Sequence, residues 1–173
     1  NFSRMILGWR ISTQYNSSVM LDNLRTVYCE YLLEKEDPLA VLLVDDGIEN
    51  KGFVCTAIQE KDIKLKRLVA QKDIHFSNSM IEAVNKRMKY DFLFRQQLPD
   101  LESTRRFLET AVNQYNNRPH SALFGLTPNE VFYGVPPNKQ LFKPQMELAK
   151  ALRKAENKAL SCDNCAFTID KQD

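Results

Sequence analysis

The 173-residue chain is poor in the features that mark several classes of protein. It has only four cysteines, too few for a small secreted scaffold stapled by disulfides. Its longest unbroken apolar run, residues 39–44, is far shorter than the roughly 18 residues of a membrane-spanning helix. Nothing near its first residues resembles a signal peptide. These absences favour an intracellular domain that folds on a hydrophobic core.

The near-neutral composition hides a charge gradient along the chain. The formal net charge is +2, but residues 1–60 sum to −4, residues 61–120 to +5 and residues 121–173 to +1. An acidic first third beside a basic middle third predicts a local cationic surface. Nucleic acid is therefore one candidate partner, which composition alone does not establish.

The first forty-odd residues carry three patterns of secondary structure. Met5, Leu7 and Trp9 alternate with other residues, which predicts a strand over the first dozen residues. Helical spacing of apolar residues predicts a helix over about 17–35. Residues 39–44 are uniformly apolar, as in a strand covered on both faces.

The rest of the chain reads mainly as helices. The segments predicted after residue 45 are a helix over 52–60, a weak strand over 64–70, a helix from Ser79 into the 90s, a helix from Asp100 to Asn116, a short helix from Thr127 to Gly134, and an exposed helix over 144–160. Strands and helices alternate, as in an α/β fold. Three strands would make an unusually small sheet.

Two aspartates follow the apolar run directly. In an open α/β sheet, sites form beyond the carboxyl ends of the strands, and that is where Asp45 and Asp46 stand. A carboxylate there is a natural ligand for Mg²⁺. On these residues alone, an ordinary polar Asp-Asp-Gly turn is an equally good interpretation.

A second candidate acid, Glu82, lies on the helix that begins near Ser79. Glu82, Lys86 and Lys89 are spaced to share one helical face, so this stripe could bind a metal at its first turn and phosphates beyond it. The competing interpretation is structural. Ser79 and Glu82 have the spacing of a capping box, and Glu82 and Lys86 that of a surface ion pair.

Four segments, in order, resemble the insertion-sequence transposases and retroviral integrases. They are residues 1–12 (NFSRMILGWRIS, similar to the family's D-x-F-S-R-x-I-V-G-W), residues 42–49 (LLVDDGIE, similar to x-T-D-N-G-x-E), residues 77–86 (SNSMIEAVNK, similar to the helix with the family's glutamate) and residues 115–130 (YNNRPHSALFGLTPNE, similar to Y-N-x-x-R-P-H-x-A-L-x-G-x-T-P-x-E). The last string is the most specific. The resemblance covers about residues 1–135.

The resemblance implies a fold and a domain organisation. The family core is an α/β, ribonuclease-H-like fold, a mixed sheet flanked by helices. We expect residues 1–138 to form part of that catalytic core, lacking its first strand or strands, and residues 139–173 to form a helical C-terminal tail.

The resemblance also implies an activity. In this family of Asp-Asp-Glu polynucleotidyl transferases, Asp45 aligns with the second acid and Glu82 with the third, both as catalytic residues and metal ligands, while Asp46 replaces the usual Asn. Lys86 and Lys89 match positions that face DNA. The implied cofactor is Mg²⁺ or Mn²⁺. The implied partners are transposon-end and target DNA and further copies of the chain, in the bacterial cytoplasm, on the nucleoid when DNA is bound, and not at a membrane.

The family's first acid has no counterpart among these residues. Asp22 and Asp37 are the only aspartates before Asp45, and each belongs to a helix or a helix exit rather than to a sheet centre. We therefore expect an N-terminally truncated core, and we expect these 173 residues alone to be inactive in strand transfer.

Two other functions compete with the enzyme. A buried strand ending in paired aspartates also occurs in receiver-type phosphoacceptor domains, although that interpretation leaves residues 115–130 unexplained. A non-catalytic DNA-binding remnant would retain the surface without the chemistry.

The remaining candidate residues have ordinary interpretations. Cys162 and Cys165 have the spacing of half a zinc site, but Cys29 and Cys55 fall in predicted core helices, so structural zinc is not favoured. For Arg118 and His120 a capping turn is at least as good an interpretation as DNA contact. His75 is interpreted as a surface residue.

Overall fold

The computed structural model describes residues 2–14, 16–34, 40–74 and 78–160. They fall into two compact units, divided between Asn117 and Arg118. The first unit contains Asp45, Glu82, Lys86 and Lys89, the residues that the family resemblance implies for metal and DNA binding. The predicted end of the catalytic core at residue 138 is a separate matter of family resemblance and stays a prediction.

The first unit is built mainly of helices around a pair of strands. Its regular elements are α1 (Ser17–Val27), β1 (Val41–Val44), α2 (Phe53–Gln59), β2 (Lys66–Val69), α3 (Ser79–Arg87) and α4 (Leu101–Asn116). Two of the helices continue into wider π-helical turns, α1 into Tyr28–Leu32 and α3 into Met88–Phe92. A short 3₁₀ turn, Ile48–Asn50, follows β1. The predicted helices are thus confirmed, with ends shifted by a few residues.

β1 and β2 pair in parallel, with Val41 opposite Lys66 and Val44 opposite Val69. Parallel strands need a crossover connection, and here it contains the 3₁₀ turn and α2. The ladder extends by one hydrogen bond at each end, since Lys66 N–H donates to Ala40 O at 3.0 Å and Ala70 N–H to Val44 O at 2.7 Å. The alternation of strands and helices is therefore of the α/β kind.

Two apolar clusters hold this unit together. The first joins α1 to α2 and to the chain leading into β2 through Leu21, Leu24, Tyr28, Val54, Ala57, Ile63 and Leu65. The second joins the end of α3 to α4 through Met88, Phe92, Ala111 and Tyr115. Burial of these side chains is the main favourable contribution to folding.

The strand predicted over the first dozen residues is wrong for the part that the structure describes. Residues 2–14 contain no strand. The backbone of Ile6 bonds instead to the side chain of Asn116, whose Oδ1 accepts from Ile6 N–H and whose Nδ2 donates to Ile6 O, both at 2.9 Å. One side-chain amide thus replaces the neighbouring strand that a ladder would require. The alternating pattern also fails, since residues 3–9 are all of intermediate exposure.

β1, which lies in the uniformly apolar run 39–44, is less covered than its composition predicts. Val41 is 53% exposed, whereas Val44 is 4% exposed. Because the strand pairs only with β2 among the described residues, its apolar side chains are not enclosed by a wide sheet with helices on both faces. Leu39, the first residue of the apolar run, lies outside the described residues.

The described part of the second unit contains two α-helices, α5 (Pro128–Phe132) and α6 (Lys139–Ala159). α5 begins with the predicted capping box, in which Thr127 and Glu130 bond reciprocally. α6 begins five residues before the predicted helix, because Asn138 Oδ1 caps the N–H groups of Gln140 and Leu141. A small cluster of Leu123, Leu126 and Val131 packs with Phe142. Across the described residues, none of the helices has the length and apolar character needed to cross a membrane.

Candidate functional site

A cavity of about 770 Å³ opens in the first unit. Its wall is formed by residues 4–10, by β1 and the turn after it, and by one face of α3 and its π-helical extension. Apolar side chains of α3, its π-helical extension and α4, including Val84, Met88 and Leu108, line much of it. Its polar and charged lining residues are Arg4, Arg10, Asn23, Asp45, Glu49, Asn50, Asn78, Asn85 and Lys89. Among the residues that the sequence proposes for the site, only Asp45 and Lys89 line this cavity.

Asp45 lies where the predicted site requires it, directly after β1. Its Oδ1 accepts hydrogen bonds from Gly47 N–H at 3.1 Å and from Asn50 Nδ2 at 2.8 Å. Two donors on one oxygen fix the orientation of the carboxylate. Within the described residues no donor reaches Oδ2, which leaves that oxygen available to a ligand.

The carboxylate of Asp46 is paired with a lysine outside the cavity. Its Oδ1 forms an ion pair with Lys51 Nζ at 3.1 Å. The hydrogen bond from Lys51 and the charge of that ammonium group lower the pKa of the Asp46 carboxyl, with smaller contributions from Lys72 and Arg67. Asp46 does not line the cavity. The two neighbouring aspartates therefore differ in surroundings, since Asp45 lines the cavity and Asp46 is paired with Lys51 outside it.

Glu49 is a carboxylate that sequence reasoning did not single out. Asn50 Nδ2 also donates to Glu49 Oε1, at 3.4 Å, so the carboxylates of Asp45 and Glu49 share one amide donor. Glu49 Oε2 is buried and has no hydrogen-bond partner among the described residues. A buried, unpaired carboxylate oxygen is unfavourable unless something compensates its charge. The signal in the sequence was a further acid four residues after Asp45, at the end of a polar turn.

Glu82 is in the first turn of α3 and is exposed. It does not line the cavity. The proposed capping box does not form, because the N-cap is Asn78, not Ser79, and no side chain bonds the helix start. The proposed ion pair with Lys86 is also absent among the described residues. Glu82 thus has neither of its ordinary structural roles, while its role as a metal ligand stays a prediction.

The helical stripe predicted for Glu82, Lys86 and Lys89 does not line the cavity as one continuous surface. Lys89 lines it, whereas Glu82 and Lys86 do not. The α-helical hydrogen bonding of α3 ends at Arg87, and Lys89 belongs to the π-helical turn. A π turn has a different angular spacing from an α-helix, so the spacing used for the stripe does not extend as far as Lys89. Both lysines are exposed.

The donor set suits one hard cation better than two. Asp45 Oδ2 and neighbouring carboxylate oxygens are ligands that Mg²⁺ accepts, and Mg²⁺ keeps several waters when few protein oxygens bind it. However, the described residues contain no group of three or more His, Cys, Asp or Glu side chains able to hold a metal ion. Within the described part of the chain, the side chains would suit a single ion that keeps most of its waters better than a two-metal cluster.

The remaining candidates have structural roles or lie elsewhere. His120 Nδ1 accepts the N–H of Ala122 at 3.2 Å and caps the 3₁₀ turn Ser121–Leu123, as the capping interpretation predicted. Cys29 and Cys55 are free and both lie on helices, with Cys29 exposed. His75, Asp37, Cys162 and Cys165 lie outside the described residues.

One part of the chain matches a known protein family. Residues 76–128 match the family model described as integrase core domain. These residues, about a third of the chain, are similar to an integrase core. The matched segment begins just before α3 and includes Glu82, Lys86, Lys89 and most of the string 115–130. The chain has no significant match among curated proteins or solved structures.

The integrase core match supports part of what the sequence predicted. Integrase cores have a ribonuclease-H-like fold, and the helix-rich first unit with its parallel strand pair is compatible with that class. The family acts in DNA integration and transposition, binds DNA, and consists of polynucleotidyl transferases that use divalent metals. The match gives no support to the receiver-type alternative.

Proposed function

We propose that this chain acts on DNA as part of an integrase or transposase catalytic core of the insertion-sequence type. The observation that carries the proposal is the match of residues 76–128 to the integrase core, joined to the position of Asp45 at the carboxyl end of β1. The substrates are transposon ends and target DNA, the chain acts as a homo-oligomer, and its place of action is the bacterial cytoplasm and nucleoid.

Each residue has a proposed part in phosphodiester chemistry. Asp45, with its orientation fixed by Gly47 and Asn50, holds a divalent cation through Oδ2, and Glu82 approaches the same ion from the exposed turn of α3. A bound Mg²⁺ would stabilise the charge that develops on phosphate oxygens during in-line attack. Lys86 and Lys89 hold the DNA backbone through its phosphates.

Binding of DNA is the first test. With a fluorescent duplex of arbitrary sequence, we expect the logarithm of the association constant to fall linearly with the logarithm of the salt concentration. A peptide nucleic acid duplex of the same sequence, which lacks phosphates, is the control and should not bind. Equal affinity for both duplexes, or no binding at low salt, would contradict the proposal.

Metal binding at Asp45 is the second test. Mn²⁺ broadens nuclear magnetic resonance lines near its site even at low occupancy, so the amide signals of Gly47 and Ile48 report the fraction bound. We expect Asp45→Asn to reduce this broadening strongly and Asp46→Asn to leave it nearly unchanged, because Asp46 is engaged by Lys51. Equal effects of the two substitutions would contradict the assignment of Asp45.

A second candidate function is DNA binding without catalysis. It is favoured by one observation, that the described residues contain no group of three metal-ligating side chains. Mn²⁺ broadening of the Gly47 amide separates the two candidates, because only the catalytic core needs a metal at Asp45. A Mg²⁺-dependent strand-joining assay on these 173 residues is a further check. We expect salt-dependent DNA binding and no joined product, and detectable joining would show that Asp45 and Glu82 suffice.

A further inference from the structure

Asn50 is unusual among the polar residues of the first unit because it is almost fully buried. Its exposed fraction is 6%, and among the described residues the only other buried polar side chain is that of Asn116, at 7%. It ends the 3₁₀ turn Ile48–Asn50 that follows β1. A buried side-chain amide is unfavourable unless its donors and acceptors are paired. The partners of Asn50 therefore indicate why an amide occupies this position.

Those partners are two carboxylates. Asn50 Nδ2 donates to Asp45 Oδ1 at 2.8 Å and, more weakly, to Glu49 Oε1 at 3.4 Å. Two carboxylates drawn towards one nitrogen repel each other, and an amide donor between them offsets part of that repulsion. Without it, Asp45 would keep only the backbone donor of Gly47.

The turn is shaped so that Glu49 folds back over it. A Cβ atom at position 47 would lie 2.5 Å from Glu49 Oε1 and 2.6 Å from Oε2, so any other residue there would require the Glu49 carboxylate to move. This packing buries Glu49 Oε2 without a partner and adds negative charge beside Asp45. Asn50 is the side chain that holds both acids in this arrangement.

We infer that Asn50 is a positioning residue for metal binding by Asp45, fixing Oδ1 so that Oδ2 remains available to a divalent cation. This inference rests on the proposed function, because it requires Asp45 to bind metal. Asn50 itself contacts neither the cation nor DNA. Partners of ligating carboxylates in other metal sites typically change metal affinity by about 10- to 100-fold when they are removed.

Asn116 supplies a matched control. It is equally buried and also uses both ends of its amide, but it bonds the backbone of Ile6 and lies outside the cavity lining. Asn50→Leu and Asn116→Leu each replace a buried amide with an apolar side chain of similar size. We expect Asn50→Leu to reduce Mn²⁺ occupancy, measured from the broadening of the Gly47 amide, by about tenfold. We expect Asn116→Leu to change it less than twofold, and Asn50→Gln to restore part of the lost occupancy.

The outcomes separate the inference from the proposed function. If Asp45→Asn removes the Mn²⁺ effect while Asn50→Leu leaves it at the wild-type level, Asn50 has only a structural role and the inference is overturned. If Asp45→Asn has no effect, the proposed function fails at this site and the inference fails with it.

A measurement on the unaltered protein covers the case in which Asn50→Leu does not fold. The side-chain amide signals of Asn50 should shift during a Mg²⁺ titration with the same midpoint as the Gly47 amide. Their failure to shift while the Gly47 amide does would overturn the inference.

Discussion

The two candidate acids differ in how the fold holds them. Asp45 is bonded by the Gly47 N–H group and the Asn50 amide at the end of a paired strand. Glu82 is exposed in the first turn of α3, a helix that has no buried residue between Ser79 and Arg87 and no side-chain cap. Both acids are exposed, but two donors orient one oxygen of Asp45, whereas no hydrogen bond orients the Glu82 carboxylate among the described residues. Asp45 should accordingly contribute most of the metal affinity, and Glu82 should add to it only once a metal or DNA is bound.

Neutralising each acid in turn tests whether Asp45 contributes more metal affinity than Glu82. We expect Asp45→Asn to lower Mn²⁺ occupancy at least tenfold, in the range found when a held ligand or its support is lost. We expect Glu82→Gln to lower it by no more than about fivefold, since no hydrogen bond orients the Glu82 carboxylate among the described residues and its attraction to the ion is screened by water. Line broadening of the Gly47 amide measures both. A larger effect of Glu82→Gln would invert the comparison.

The lysines of α3 and its π turn test whether this helix faces DNA. Lys86→Ala and Lys89→Ala should each remove about one unit from the slope of log association constant against log salt. Arg87→Ala is the matched control, because Arg87 lies between them but its charge is paired with Asp91 at 3.5 Å. Fluorescence anisotropy on a short duplex gives the slopes. If all three variants lose the same amount, net charge and not position determines DNA binding.

Local signals explain why so much of the helical structure was predictable. The starts of α4 and α5 follow from nearby residues, since Asp100 caps Ser103 N–H and Thr127 forms a box with Glu130. Each of these interactions is confined to a few residues of the chain. Residues 2–14 are the counterexample. Whether an alternating segment becomes a strand depends on a distant partner, and here that partner is the side chain of Asn116, 110 residues away.

The candidate site was predictable only in part for the same reason. The position of Asp45 follows from the abrupt end of an apolar run, which the sequence shows directly. The contacts of Glu49 and Asn50 depend on the geometry of one turn, in which Gly47 allows a carboxylate to fold back. The change from α-helical to π-helical bonding at Met88 moved Lys89 relative to Lys86, and helical periodicity does not report that change.

The starts of α5 and α3 also differ in how hydrogen bonds hold them. Thr127 caps α5 with its side chain, whereas Asn78 at the start of α3 makes no such bond. We expect Thr127→Ala to cost about 1 kcal/mol in the local stability of α5, and Asn78→Ala to have a much smaller effect on α3. Hydrogen exchange of amides within each helix measures the two changes separately. Comparable losses would show that Asn78 caps α3 in solution.

The smallest expected effect is the acid sensitivity of the α5 cap. The hydrogen bonds from the Thr127 N–H group and hydroxyl lower the pKa of the Glu130 carboxyl below its ordinary value of 4.5. A carboxyl whose pKa is lower in the folded state stabilises the fold above its unfolded pKa, and that stabilisation is lost as the pH falls through the folded pKa. Amide exchange in α5, corrected for the intrinsic effect of pH, should therefore show weaker protection at pH 3 than at pH 6. Glu130→Gln should remove most of that difference, because it leaves no group to titrate at the cap. If the pH dependence survives that substitution, other carboxyl groups destabilise α5 in acid, and the contrast between a capped α5 and an uncapped α3 would then rest on Thr127 alone.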